Sequence, residues 1–229
     1  MQKATFMENL RNYNQIGINE KIFVKNPETS ILGRKILRES ILLIDEIGFE
    51  NFTFKKLGEK IGSNESSVYR YFENKHKLMV YLSSWYWSWM EKKLVLGIAD
   101  ITDVHEKLDV AIGIVTQKIV DDESTTHIDE SVLNKIIIAE FSKTLHTKEV
   151  DDENKNGFFV IYKQVINKIV AIVNEVAPDY LYAKSLISTV VEGALHQHFL
   201  KDHLKTITNC DDNFSPSEFY VDMVRRVLK

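Results

Sequence analysis

Residues Ser66 to Leu78 read SSVYRYFENKHKL, a dense run of hydroxyl, guanidinium and ammonium groups. Such groups suit the phosphates and base edges of a nucleic acid. On spacing alone they suit the wet face of an ordinary helix equally well. Two other constellations carry potential chemistry. Glu73 and His76, three apart, form half of the paired Glu-x-x-His motif of carboxylate-bridged metal bundles, but no second pair occurs. Glu192, His196 and His203 fall on one face of a late helix, with His198 close by, where polar residues of a subunit interface explain them better than a metal does. No Ser/His/Asp or Cys/His set, phosphate-cradling glycine loop or His-Glu-x-x-His motif appears. The expectation is a non-enzyme with no metal and no cofactor.

The 229 residues suffice for a real core, either as one large domain or as a small domain fused to a larger one. Only 9 Gly and 3 Pro punctuate long Leu/Ile/Lys/Glu segments, which points to an all-helical chain. Cys210 is alone and can form no internal disulfide, which fits a reducing cytoplasm. Neither a signal peptide nor a run of about 18 apolar residues is present, so no membrane association is expected. The formal net charge of -4 is unevenly placed: residues 29–82 hold nine Lys/Arg against seven Asp/Glu, and residues 83–229 sixteen against twenty-three. A slightly basic head on an acidic body is compatible with nucleic-acid binding by the head only.

These side chains need helices to hold them. Ile36, Leu37, Ile41, Ile44 and Ile47 recur at helical spacing and predict a helix over 30–47, capped by Thr29 or Ser30 and stopped at Gly48. Thr53 can cap a second helix to Ile61, with Gly62 as a left-handed stop. Asn64 can cap a third over 65–71, and a fourth starts near Lys75 and runs through Trp89. Two short helices about Gly62-Ser63-Asn64, braced by a longer one, make a helix-turn-helix. Gly58 on the second would let its neighbour approach closely. Further helices are predicted at about 104–121, 129–146, 157–176, 179–204 and 216–227.

With these residues in place, the segment Ile36 to Leu82 resembles the DNA-binding domain of TetR-family (TetR/AcrR-type) transcriptional regulators. The features that carry the resemblance are Thr53-Phe54-Lys55-Lys56-Leu57-Gly58-Glu59-Lys60-Ile61-Gly62, Ser67-Val68-Tyr69-Arg70-Tyr71-Phe72, and Lys75 followed by Leu78. The resemblance implies phosphate contacts by Thr53, Tyr69, Tyr71 and Lys75. It implies that Lys55, Glu65, Ser66, Ser67 and Arg70 lie at or near base edges, and that Val68, Phe72 and Leu78 hold the recognition helix. It also implies a homodimer on an inverted-repeat double-stranded operator, an all-α fold and a C-terminal helical domain for an unidentified small-molecule effector. The expected division is an N-terminal extension 1–28, a helix-turn-helix domain 29–76 and a ligand and dimerisation domain 77–229. The extension itself is open between an ordered strap, a minor-groove arm and a tail.

The stretch SSWYWSWM places Trp85 and Trp89 on one helix face and Trp87 nearly opposite. Apolar residues all round a helix usually mean burial. Trp85, Tyr86 and Trp89 are candidates for an aromatic effector pocket as well as for the core. The apolar stripes of 179–204 and 216–227 are expected to form an intermolecular four-helix bundle. The function expected is a repressor released from its operator by the effector; a helical small-molecule sensor or carrier without operator binding is the alternative.

Overall fold

The computed structural model describes residues 17–120 and 125–229. Most of the N-terminal extension and the acidic break at 121–124 therefore lie outside the described residues. All regular structure among the described residues is helical.

The head of the molecule is built as its caps and apolar spacing require. Helix α1 (Ile31–Asn51) begins at Ser30, whose hydroxyl accepts the Gly33 N–H at 3.0 Å, and buries Ile36, Leu37, Ile41 and Ile44. It runs one turn past the expected stop, bending at Gly48 (φ 75°) so that Phe49 and Phe52 close over the core. Helix α2 (Phe54–Lys60) and helix α3 (Glu65–Tyr69) follow, and α4 (Lys75–Ile98) leaves the head. The turn between α2 and α3 needs Gly62 at φ 70°, a conformation costly for any residue with a Cβ. Gly58 provides the close approach: a Cβ there would lie 2.7 Å from the Asn64 carbonyl carbon.

Helix α4 is the axis of the molecule, about 36 Å long at 1.5 Å per residue. Apolar residues surround it, and Trp85, Trp87 and Trp89 are all within the core. Around it stand α5 (Val104–Thr116), α6 (Glu130–Leu145), α7 (Val150–Lys155), α8 (Val160–Val176), α9 (Ala183–His203) and α10 (Pro216–Val227). Helix α7 was not expected. Its sequence, VDDENK, is too polar to show an apolar stripe, but three acidic residues in its first turn suit the helix dipole. The apolar stripes of α9 and α10 are partly spent within the chain. Ile187, Val190, Val191 and Ala194 are buried with Tyr220 and Val224, while Phe219 and Val227 of α10 remain exposed, as do Leu181 and Tyr182 before α9 and Phe214 before α10.

Residues 17–30 form a strap across head and body, built on two 3-10 turns (Glu20–Ile22 and Pro27–Thr29) capped by Asn19 and Asn26. On the head side, the Val24 N–H donates to the Tyr71 carbonyl at 2.8 Å and the Arg34 guanidinium to the Glu28 carbonyl at 2.6 Å. On the body side, Asn19 Nδ2 donates to the Asn156 carbonyl at 2.8 Å and Lys21 Nζ to Asn156 Oδ1 at 3.0 Å. Ile22 is buried, the Glu28 carboxylate meets His127 Nε2 at 2.9 Å, and Phe23 packs edge-on against Tyr81 of α4.

Candidate nucleic-acid interface

Thr53 and Asn64 fix the two short helices at their starts. Thr53 Oγ1 accepts the Lys56 N–H at 3.2 Å, and Asn64 Oδ1 accepts the Ser67 N–H at 3.1 Å. Beneath α3, Val68 and Phe72 are fully buried, with Leu78 from α4. Tyr69 stands half exposed with its ring edge-on to Phe54, 5.0 Å between centroids. Thr53, Lys55, Glu65, Ser66 and Arg70 are exposed as well. These six side chains come from the start of α2 and from α3 with its C-terminal cap.

Three expected contacts are placed differently. Tyr71 is only 4% exposed, and its hydroxyl lies 2.8 Å from Ser30 Oγ while the Lys25 ammonium sits over its ring. The strap covers it, so it is a core residue rather than a free phosphate ligand. Ser67 is buried too: its hydroxyl donates to Asn64 Oδ1 at 3.2 Å and accepts from Ser63 Oγ at 2.9 Å. Lys75 Nζ donates to the carbonyls of Phe49 and Glu50 at 3.0 and 3.1 Å, closing the end of α1. An ammonium has three donors, so one is left for a phosphate.

The Glu73/His76 pair is not a ligand set, since His76 Nε2 lies 2.9 Å from Glu153 Oε1 of α7. His198 donates from Nε2 to the Thr116 carbonyl at 2.9 Å; burial, outweighing that bond, lowers its pKa from the ordinary value. Among the described residues no group of three His, Cys, Asp or Glu side chains is placed to hold a metal ion, and no helix is long and apolar enough to cross a membrane.

The aromatic candidates in the body separate. Tyr86 donates its hydroxyl to Asn134 Oδ1 at 2.9 Å, and burial raises its pKa well above the usual range. Trp89 packs under the Lys93 ammonium, 4.3 Å from the ring centroid. Trp85, with Phe23 and Tyr81, borders a cavity of about 520 Å³ beneath the strap. Trp87 was not singled out in the sequence, yet it borders an internal cavity between α4, α6 and α8. Its ring packs with Phe141 and Tyr162 at centroid distances of 5.3 and 4.9 Å. The helical wheel put Trp87 opposite its two neighbours; only the packing of α6 and α8 shows that this side holds the cavity.

The structure carries a helix-turn-helix head with an exposed second short helix on an all-helical body. Residues 36–82 match the model for bacterial regulatory proteins of the tetR family. No curated protein matches the chain in sequence. Among solved structures, it is similar to AibR in complex with isovaleryl coenzyme A and operator DNA (14% identity, TM-score 0.55, covering 85% of this chain and 97% of that one). It is also similar to the fatty acid degradation regulator FadR from Bacillus halodurans (14% identity, TM-score 0.53, covering 85% and 92%). The superantigen PfiT shares the fold equally well (15% identity, TM-score 0.58, covering 90% and 99%). At these identities the likeness establishes the fold alone.

Proposed function

We propose that the chain is a sequence-specific transcriptional regulator, a cytoplasmic homodimer that represses from an inverted-repeat operator and is released by a small molecule bound in the helical body. The observation that carries this reading is the exposed surface of α3, with Ser66, Tyr69 and Arg70 free on a helix whose other side is anchored by Val68 and Phe72. Thr53 and Tyr69 hold phosphates, joined by the remaining donor of Lys75. Lys55, Glu65, Ser66 and Arg70 lie at or near base edges. Arg70 suits guanine and Glu65 a cytosine amine. Two-fold pairing through Phe219 and Val227 of α10, with Leu181 and Tyr182 just before α9, sets two recognition helices about 34–36 Å apart. AibR, solved with both operator DNA and an acyl-coenzyme A, supports the pairing of DNA and small-molecule partners in this fold. An effector that prefers a dimer with wrongly spaced heads lowers operator affinity through a coupling free energy of about 1–3 kcal/mol.

The test is selection of bound fragments from genomic DNA of the source, followed by salt-dependent binding to the best site. Tyr69→Ala should weaken binding to all sequences, and Arg70→Ala should change base preference. Lys55→Ala should flatten the salt slope by about 1 if its ammonium also neutralises a phosphate, and leave the slope unchanged if it reads bases alone. No sequence-selective binding at any salt, together with a tightly held metabolite, would instead favour a helical small-molecule sensor or carrier.

A further inference from the structure

The charged side chains of residues 17–30 are Glu20, Lys21, Lys25 and Glu28. Three of them are spent at the body end of the strap or turn toward the body. Lys21 Nζ is held by Asn156 Oδ1 at 3.0 Å, and Glu20 stands in the turn whose cap, Asn19, is bonded to the Asn156 carbonyl. The Glu28 carboxylate meets His127 Nε2 and the Tyr81 hydroxyl. Lys25 is different. It is exposed, and among the described residues no carboxylate forms an ion pair with it. What steadies it is an aromatic face, its ammonium lying 5.4 Å from the centroid of the Tyr71 ring. A cation over a ring keeps N–H donors for another partner.

The backbone on either side of Lys25 is fixed. The Val24 N–H donates to the Tyr71 carbonyl at 2.8 Å, which ties the strap to the residue after Arg70, the C-cap of α3. Asn26 caps the second 3-10 turn, its Oδ1 accepting the Glu28 N–H at 2.9 Å. A side chain whose backbone is ordered beforehand gives up less freedom when it binds. This is also the corner where the sequence predicts a phosphate contact by Tyr71. The Tyr71 ring is buried and its hydroxyl lies 2.8 Å from Ser30 Oγ. The corner instead presents to solvent the ammonium of Lys25, beside the residue that follows the exposed Tyr69 and Arg70.

We propose that Lys25 binds a phosphate of the DNA backbone, so that the strap supplies, from outside the helix-turn-helix, the contact that the covered Tyr71 hydroxyl does not make. This assignment rests on the operator-binding reading above and adds a residue and a role to it. The contact is a point charge on a phosphodiester and reads no bases; it positions the end of α3 and contributes through counterion release. Tyr71 is the platform on which the ammonium rests.

The test measures binding of the full chain across a salt series to two duplexes of equal length, one carrying the best site from the genomic selection and one scrambled. In Lys25→Gln the slope of log affinity against log salt should become shallower by about 0.9 per bound protomer, on both duplexes. The ratio of the two affinities should stay that of the parent, since a phosphate carries no sequence. Lys25→Arg should keep the parent slope. Lys21→Gln, the same charge change at the body end of the strap, should keep it too. An unchanged slope in Lys25→Gln overturns the assignment, and a lower melting temperature with that unchanged slope leaves Lys25 a packing role only. Equal slope losses in Lys21→Gln and Lys25→Gln overturn it as an effect of net charge, and an altered affinity ratio overturns it in favour of base reading. A parent with no preference for the selected duplex rejects the proposed function alone, because the scrambled duplex still reads Lys25. A parent that binds neither duplex at low salt rejects both.

Discussion

The hydroxyls of Tyr71 and Ser30 lie 2.8 Å apart, joining the residue after the recognition helix to the cap of the first helix, forty-one positions earlier. Ser30 also accepts the Gly33 N–H, so one serine caps α1 and holds the tyrosine. Tyr71→Phe should therefore cost about 1 kcal/mol of stability, the net worth of a hydrogen bond, and leave operator affinity nearly unchanged. Tyr69→Phe, at an exposed hydroxyl, should do the reverse. Thermal melts and binding isotherms of the two variants check the contrast.

Gly58→Ala sets two effects against each other. Alanine improves helix propensity by about 1 kcal/mol. The added Cβ, however, would fall 2.7 Å from the Asn64 carbonyl carbon and 2.8 Å from the Glu65 nitrogen, which are backbone atoms that cannot rotate away. Overpacking of this kind costs on the order of 1–3 kcal/mol, so the variant should be net destabilised and should lose operator binding as the turn opens. Denaturant unfolding gives the sign directly.

Asn64→Ala removes the cap of α3 and one partner of the Ser67 hydroxyl. The expected loss is about 1 kcal/mol. Asn64→Asp keeps the accepting oxygen at the positive end of the helix and should retain most of that stability, although its charge lies near the proposed phosphate surface. Melting temperature should separate Ala from Asp, and operator affinity should fall for both.

His198 sets a pH dependence. Its pKa is lowered in the folded chain, chiefly by burial, so folding favours the neutral ring. The contribution is complete above the unfolded value of about 6.5 and is lost as pH falls through the lower folded value. A His198→Gln variant, which keeps a donor for the Thr116 carbonyl, should lose less stability than the parent between pH 7 and pH 5. Parallel melts across that window measure the difference.

What the sequence disclosed and what it hid divide by range. The head was legible because caps, apolar spacing and the glycines at 58 and 62 act within a few residues of one another. Trp85, Trp87 and Trp89 were legible as a buried set for the same reason, since apolar residues on every face of α4 leave no wet side. The fate of Tyr71 was not, because its burial depends on a strap that folds back from residues 24–30. Helix α7 was hidden by its acidity, which reads as a loop until Glu153 meets His76 across 77 positions. Trp87 was passed over because a helical wheel gives relative directions only, and the cavity lies on whichever side α6 and α8 happen to stand.

The strap has a consequence for modularity. A recognition head transplanted at residue 30 would arrive with Tyr71 uncovered and the Tyr71 carbonyl without the Val24 N–H. A functional chimera would have to bring residues 17–29, and with them a body offering something like Asn156 to receive Asn19 and Lys21. Exchange of heads between such proteins is therefore restricted by a covering segment that belongs to neither domain alone.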